Sequence, residues 1–302
     1  MTTGPAQLPA GARRARGLAA LAVAYGTALA VAIAVGWTFR GRHPVLVAGA
    51  ADLAATLTVF AFSVRHDNSS LYDPYWSVAP IPIALYWASG AGGGSALRRG
   101  WVLAVVCVWG ARLTANQLAR WRGLGDEDFR YRELRARGGR WYWPLSLVGI
   151  HVLPTTWVFL GLLAAFPALA GRGGGLRALD AVAVVVAGGA VLLEAAADRQ
   201  LARFRRSRDD AGAVLASGLW AISRHPNYLG ESLFWWGIFF SGVAAEPRWA
   251  WAVVGPLAIT LLFLRVSVPW MDRHMAARHP AWAERVRGVP ALLPSPRRRG
   301  DR

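Results

Sequence analysis

The chain has 302 residues, 55% of them hydrophobic and only 17% charged, and its mean hydropathy is positive. Soluble domains carry about a quarter charged residues, so this balance excludes an ordinary soluble globular protein and describes a polytopic membrane protein. The net charge of +17 comes from arginines set between apolar stretches, not on one contiguous face. That pattern excludes nucleic acid as a partner and leaves membrane lipids and anionic ligands. All 34 basic residues are Arg and none is Lys, a bias of coding rather than of function. Cys107 is the single cysteine and sits in an apolar stretch, so disulfides and cysteine metal sites are excluded and no metal is expected.

In chain order, a small, Pro-containing start ends in Arg13, Arg14 and Arg16, and the run Gly17–Trp37 is long enough to span a bilayer. It is too long for a signal-peptide core and shows no cleavage site, so it reads as an uncleaved first helix. Further spans are expected at Pro44–Val64, Val78–Ser89 (short and Pro-rich), Trp101–Leu118, Pro144–Leu169, Leu179–Ala197, Leu229–Ala245 and Trp249–Val268. The fold class is therefore all-α, a membrane bundle of about seven to eight transmembrane helices in a single integral membrane domain, 1–302. Its N-terminal helices occupy 17–118, an interfacial segment 119–143, a second helical half 144–294, and a basic tail 295–302.

Arginine counts in the connections orient the bundle. With eight spans, the N-terminus, the second, fourth and sixth connections and the tail hold 25 arginines, and the opposite side holds 7. Both termini are expected in the cytoplasm. If the short third segment does not cross, the N-terminus moves outside while the Arg-rich later loops stay in the cytoplasm.

Four polar groupings stand out. Asp52 lies midway along the second span, where a carboxylate is costly and faces a cavity or a partner. Tyr72-Asp73-Pro74-Tyr75-Trp76 offers two phenols and an acid that can polarise a carbonyl or deliver a proton, and it equally suits an aromatic anchor at headgroup level. The stretch 120–143, with seven Arg, four acids and interleaved aromatics, suits a segment lying on the membrane surface, although Asp126, Glu127, Asp128, Arg130 and Tyr131 are tightly clustered. Glu194, Asp198 and Arg205 fall on one face of a helix continuing out of the sixth span. The acids there can accept ribose or amide hydrogens and the guanidinium can meet phosphate, while the surrounding arginines Arg199 to Arg208 also suit headgroups.

Next comes Ser223-Arg224-His225-Pro226-Asn227-Tyr228-Leu229-Gly230-Glu231. Pro226 suits the first turn of a helix, whose free N–H groups beside Arg224 and His225 favour an anion. Asn227 and Glu231 share a face one turn inward.

From Asp198 to Pro294, with the earlier GDEDFRYRELR and YDPYW, the chain resembles a bacterial membrane family of uncharacterised proteins related to steroid 5α-reductases. Gly218-Leu219-Trp220, SRHPNYLGE and WWG carry the resemblance. It implies NADPH entering a helix bundle of the cytoplasmic membrane from the cytoplasmic side, and reduction of an activated C=C bond in a hydrophobic, lipid- or steroid-like substrate. Residue by residue, it places the nucleotide pocket on Glu194 (where the reductases carry an Asn), Asp198, Arg205, Asn227, Glu231 and Arg265, with Arg224, His225 and Tyr228 beside them. The later His and Tyr ligands fall near Pro269, Arg273 and His274 and do not match. The reductases' Gln-Glu substrate motif is not visible, and Asp52, Tyr72, Asp73 and Tyr75 are the candidates to replace it.

The chemistry implied is hydride delivery to the β-carbon of an enone while an acid stabilises the developing enolate oxygen. Two alternatives stay open. Isoprenylcysteine-type methyltransferases share an R-H-P-x-Y helix start but use S-adenosylmethionine, which carries no phosphate. A non-catalytic lipid-binding protein is the other.

Overall fold

The computed structural model describes residues 9–90, 92–171, 173–207 and 212–293. Met1–Leu8, Arg208, Pro294 and the basic tail 295–302 lie outside them. Among the described residues every regular element is helical, and six helical stretches are long and apolar enough to cross a membrane. Two units result: one comprises residues 1–90 and 106–159, the other residues 91–105 and 160–302.

The first unit begins with α1 (Ala10–Thr38) and α2 (Pro44–Arg65), antiparallel across the short turn that Pro44 opens. Tight ends define its two faces. At one, Arg14 donates to the Leu118 carbonyl (3.2 Å), and Asn68 donates to the Leu124 (2.7 Å) and Asp126 (3.1 Å) carbonyls. At the other, the Trp87 indole donates to the Pro44 carbonyl (3.3 Å) and its ring meets Phe159. The chain between them is therefore carried from one face to the other by a 3₁₀ turn (Ser69–Tyr72), α3 (Tyr75–Val78) and α4 (Pro80–Ser89).

This resolves the short third span. At 1.5 Å per residue α4 reaches only about 15 Å, half of a bilayer core of about 30 Å. The crossing is instead a broken helix, and Leu71, Tyr72, Tyr75, Ser77, Ala84 and Trp87 along it are buried. Interrupted backbone is tolerated at membrane depth where protein covers it. The unit is completed by the second part of α5 (Ala96–Arg120), α6 (Phe129–Gly138), α7 (Tyr142–Ser146), a π-helical turn (Leu147–Val152) and α8 (Leu153–Leu163) as far as Phe159.

The second unit holds the start of α5, the end of α8, α9 (Phe166–Ala170), α10 (Ala178–Ser207) and α11 (Pro226–Ala245). A long interrupted helix follows, made of α12 (Val254–Leu262), a π turn (Phe263–Ser267) and α13 (Val268–Arg278), then a short α14 (Trp282–Arg285). Helix α11 is its centre: thirteen of its twenty residues are buried, so it faces protein and not lipid. Its glycines set the packing. A Cβ at Gly237 would lie 2.6 Å from Ala187 Cβ, and one at Gly242 would fall on the Ala164 carbonyl. Small residues of this kind let membrane helices approach backbone to backbone.

One end of this unit is closed by a buried ion pair. Arg98 Nε and Nη2 donate to the two Asp180 carboxylate oxygens (2.6 and 2.7 Å), and the guanidinium also reaches the Gly174 and Gly175 carbonyls. Arg98, counted from the sequence as a loop charge, is 1% exposed.

Candidate active site

In the first unit the buried polar side chains form a chain of hydroxyls. Tyr75 donates to Asp52 Oδ1 (3.3 Å) from the broken crossing to the middle of α2. Tyr72 Oη pairs with Thr155 Oγ1 (2.7 Å), and Thr155 with Thr56 Oγ1 (3.0 Å), one helical turn beyond Asp52. The Tyr72 and Tyr75 rings lie 5.6 Å apart, Tyr25 meets Tyr75 edge-on, and His151 tilts against Tyr72 at 4.9 Å. His151 sits in the π turn, where the extra residue per turn re-aims a side chain. It is held between Ser63 Oγ (3.1 Å) and the Ser146 carbonyl (3.0 Å).

Asp52, Tyr72 and Tyr75 are thus brought together, each under 10% exposed, with Ala28, Ala55, Val59, Ala79 and Ile150 around the tyrosines. Asp73 has a different partner: Tyr131 of α6 donates to it at 2.5 Å. Thr56, Thr155, His151 and Tyr25 are the residues that sequence reasoning missed. Thr56 alone carried a signal, four residues after Asp52 on the same helical face. His151 carried none, because its inward aim depends on the π turn.

The interfacial stretch is knotted to the same end of this unit. Arg135 bonds Asp67 (2.7 Å) and Glu127 (3.3 Å) and covers the Tyr142 ring at 3.9 Å, while Tyr142, Ser69 and Ser146 share their hydroxyls. Asp128 caps α6 through the Arg130 amide. Glu127 and Asp128 therefore hold structure together, and Arg132, Arg137 and Arg140 face outward.

In the second unit α10 runs to Ser207, so Glu194, Asp198 and Arg205 do belong to one continuous helix. Glu194 is 4% exposed, Asp198 half-buried and Arg205 exposed. Gly218 takes φ +59, and its loop is laid on α10 by Leu219 N–H to Gln200 (3.0 Å) and Trp220 Nε1 to the Ala197 carbonyl (3.2 Å). Pro226 occupies the first turn of α11, which has no side-chain cap.

Gly230 is where the predicted residues converge. A Cβ there would lie 2.7 Å from Glu194 Cβ and 3.0 Å from the Ala190 carbonyl, so Glu194 is seated beside the turn that carries Asn227 and Glu231. Glu231 is 4% exposed and accepts from the Trp235 indole (2.7 Å). Asn227 Oδ1 is buried and accepts no hydrogen bond among the described residues.

Arg224 and His225 are placed differently from expectation. Asp272 of α13 takes His225 Nε2 at 2.7 Å and Arg224 Nη2 at 3.0 Å. The segment Val289–Ala291 straps the motif through the Arg224 and His225 amides and the Arg224 guanidinium. Tyr228 stacks between His225 and Phe263 (5.1 and 4.8 Å). Arg265, two residues on, is exposed in its π turn. Asp272 and the strap were not foreseen, since they lie some 45 to 65 residues beyond the motif in sequence.

Comparison with known proteins gives this arrangement a family. A family model described as a protein of unknown function (DUF1295) matches residues 59–285. The chain belongs to that family. The uncharacterized protein C594.04c of Schizosaccharomyces pombe is similar to it, with 27% identity over 229 residues, 68% of this chain and 67% of its own. No solved structure matches. The family match takes in Tyr72–Trp76, the α10–α11 residues and Asp272, and begins after Asp52 and Thr56.

Proposed function

We propose that this integral membrane protein is an NADPH-dependent reductase of an activated C=C bond in a hydrophobic, lipid- or steroid-like enone, its cofactor end facing the cytoplasm. The observation that carries the reading is the close seating of Glu194 against Gly230, in the stretch of α11 that carries Asn227 and Glu231, on a helix buried in protein. Polar groups at such depth are expensive and mark a function. The buried, unsatisfied Asn227 Oδ1 fits the carboxamide of a nicotinamide, which offers an N–H donor to it.

When bound, NADPH would supply the hydride; the chain supplies position and charge. Asn227 would hold the carboxamide, Glu194 and Asp198 would accept ribose hydroxyls, and Arg205, exposed at the end of α10, would meet phosphate. Tyr228, stacked on both faces, keeps the first turn of α11 in one orientation. In the first unit the phenols of Tyr72 and Tyr75 are the proton donors suited to an enolate oxygen. Asp52 and Thr155 hold those phenols in place. Asp73, bonded to Tyr131, is the fourth candidate acid.

One observation favours a second reading. Asp272 pairs with the Arg224 guanidinium and hydrogen-bonds the His225 ring, so these motif side chains are already engaged and less open to phosphate. S-adenosylmethionine carries none, and a methyltransferase of the isoprenylcysteine type would fit that economy. Thermal shift of the purified chain with NADPH, NADH and S-adenosylmethionine separates the two. Stabilisation by NADPH alone supports the reductase, and stabilisation by S-adenosylmethionine alone overturns it.

A further inference from the structure

A second polar site lies in the first unit, apart from the hydroxyl chain of Tyr72 and Tyr75. A cleft of about 290 Å³ is lined by Arg13, Arg122, Gly125 and Asp126. The two arginines are 109 positions apart, and backbone packing brings them together. Gly123, at φ +109, presses its Cα against the first turns of α1, where a Cβ would lie 2.8 Å from the Arg13 carbonyl. Gly17 likewise admits the Trp121 indole, at 2.6 Å from the position of its missing Cβ. Arg14 is tied alongside through the Leu118 carbonyl.

The packing thus forces like charges into one cleft beside the positive end of a 29-residue helix that has no side-chain cap and no acid in its first turn. Among the described residues Asp126 is the one acid lining it. Depth identifies what meets these charges. Gly17–Gly36, twenty residues, rise about 30 Å, the thickness of a hydrocarbon core. At the far end Arg40 lies over the Trp37 ring at 4.7 Å, an interfacial pairing. Arg13 and Arg122 therefore sit at headgroup level.

We infer that this cleft binds the phosphate of an anionic membrane phospholipid, gripped by Arg13 and Arg122. Phosphate is recognised by guanidinium forks in the way carboxylate is, and the acyl chains would run along α1, whose apolar span is largely exposed.

The test is native mass spectrometry of the full chain in detergent, titrated with phosphatidylglycerol and, separately, with phosphatidylcholine. The wild-type chain should retain phosphatidylglycerol preferentially. Arg13→Gln and Arg122→Gln should each weaken retention roughly fivefold, from the worth of one surface arginine at an anionic membrane. Asp126→Asn should strengthen it, a gain that a misfolded variant cannot mimic. Arg137→Gln, on α6 and paired with Glu133, should change nothing. Equal retention of the two lipids, or no loss in the double arginine variant, overturns the site. Displacement of phosphatidylglycerol by an equal concentration of inorganic phosphate overturns the lipid and assigns a soluble anion.

Discussion

Replacing Gly230 by Ala tests the packing on which the α10–α11 site depends. The added methyl would sit 2.7 Å from Glu194 Cβ and 3.0 Å from the Ala190 carbonyl, where ordinary contact begins at 3.4 Å. Part of the obstruction is backbone, so relief requires the two helices to part by several tenths of an ångström. Overpacking of this kind costs about 1–3 kcal/mol, against about 0.5–1 kcal/mol regained from replacing a helical glycine. A net loss of about 1–2 kcal/mol is expected. Gly189, on α10 itself, has nothing within 4 Å of its Cβ position, so Gly189→Ala should be neutral or stabilising. Unfolding of the detergent-solubilised chain by sodium dodecyl sulfate, followed by tryptophan fluorescence, measures both variants against wild type. Cofactor affinity should fall in Gly230→Ala and hold in Gly189→Ala. The reasoning is refuted if Gly230→Ala is as stable as wild type, or if both variants lose equally.

Three further outcomes are expected. Arg98→Ala should cost about 3–5 kcal/mol, because it strands the buried Asp180 carboxylate, and the double variant with Asp180→Ala should cost less than the sum in the same unfolding assay. Asp73→Ala removes the carboxylate to which Tyr131 of α6 donates and should lower the melting temperature, with Tyr131→Phe adding little in the double variant. Asp272→Asn removes the carboxylate charge paired with Arg224 and hydrogen-bonded to His225; under the reductase reading NADPH affinity should be kept or raised, whereas a drop would show that Asp272 holds the motif in its binding shape.

The helical class and six of the expected spans were legible because apolar runs of membrane length have few alternatives, while Val78–Ser89 and Leu229–Ala245 are not among the six helical stretches long and apolar enough to cross. Pro226 opening α11, and α10 continuing through Arg205, followed from local rules of the same kind. Two features were not legible. The third crossing is a broken helix whose burial depends on α2, α5 and α8, and no window of its own sequence reports that cover. The partners of the site are equally non-local: Asp272 reaches back to His225, and Thr155 reaches back to Tyr72 across 83 positions. Sequence spacing names residues one turn apart, so it found Asn227 with Glu231. It had no means to show that the cations beside them are already paired.

Equilibrium binding of NADPH to the purified full chain, followed by nicotinamide fluorescence, tests the central claim most directly, with Asn227→Ala beside the wild type and S-adenosylmethionine as competitor. Saturable binding of NADPH, weakened at least roughly fivefold by loss of the carboxamide contact worth about 1 kcal/mol and indifferent to S-adenosylmethionine, is the predicted result. Absence of NADPH binding, or its displacement by S-adenosylmethionine, would contradict it.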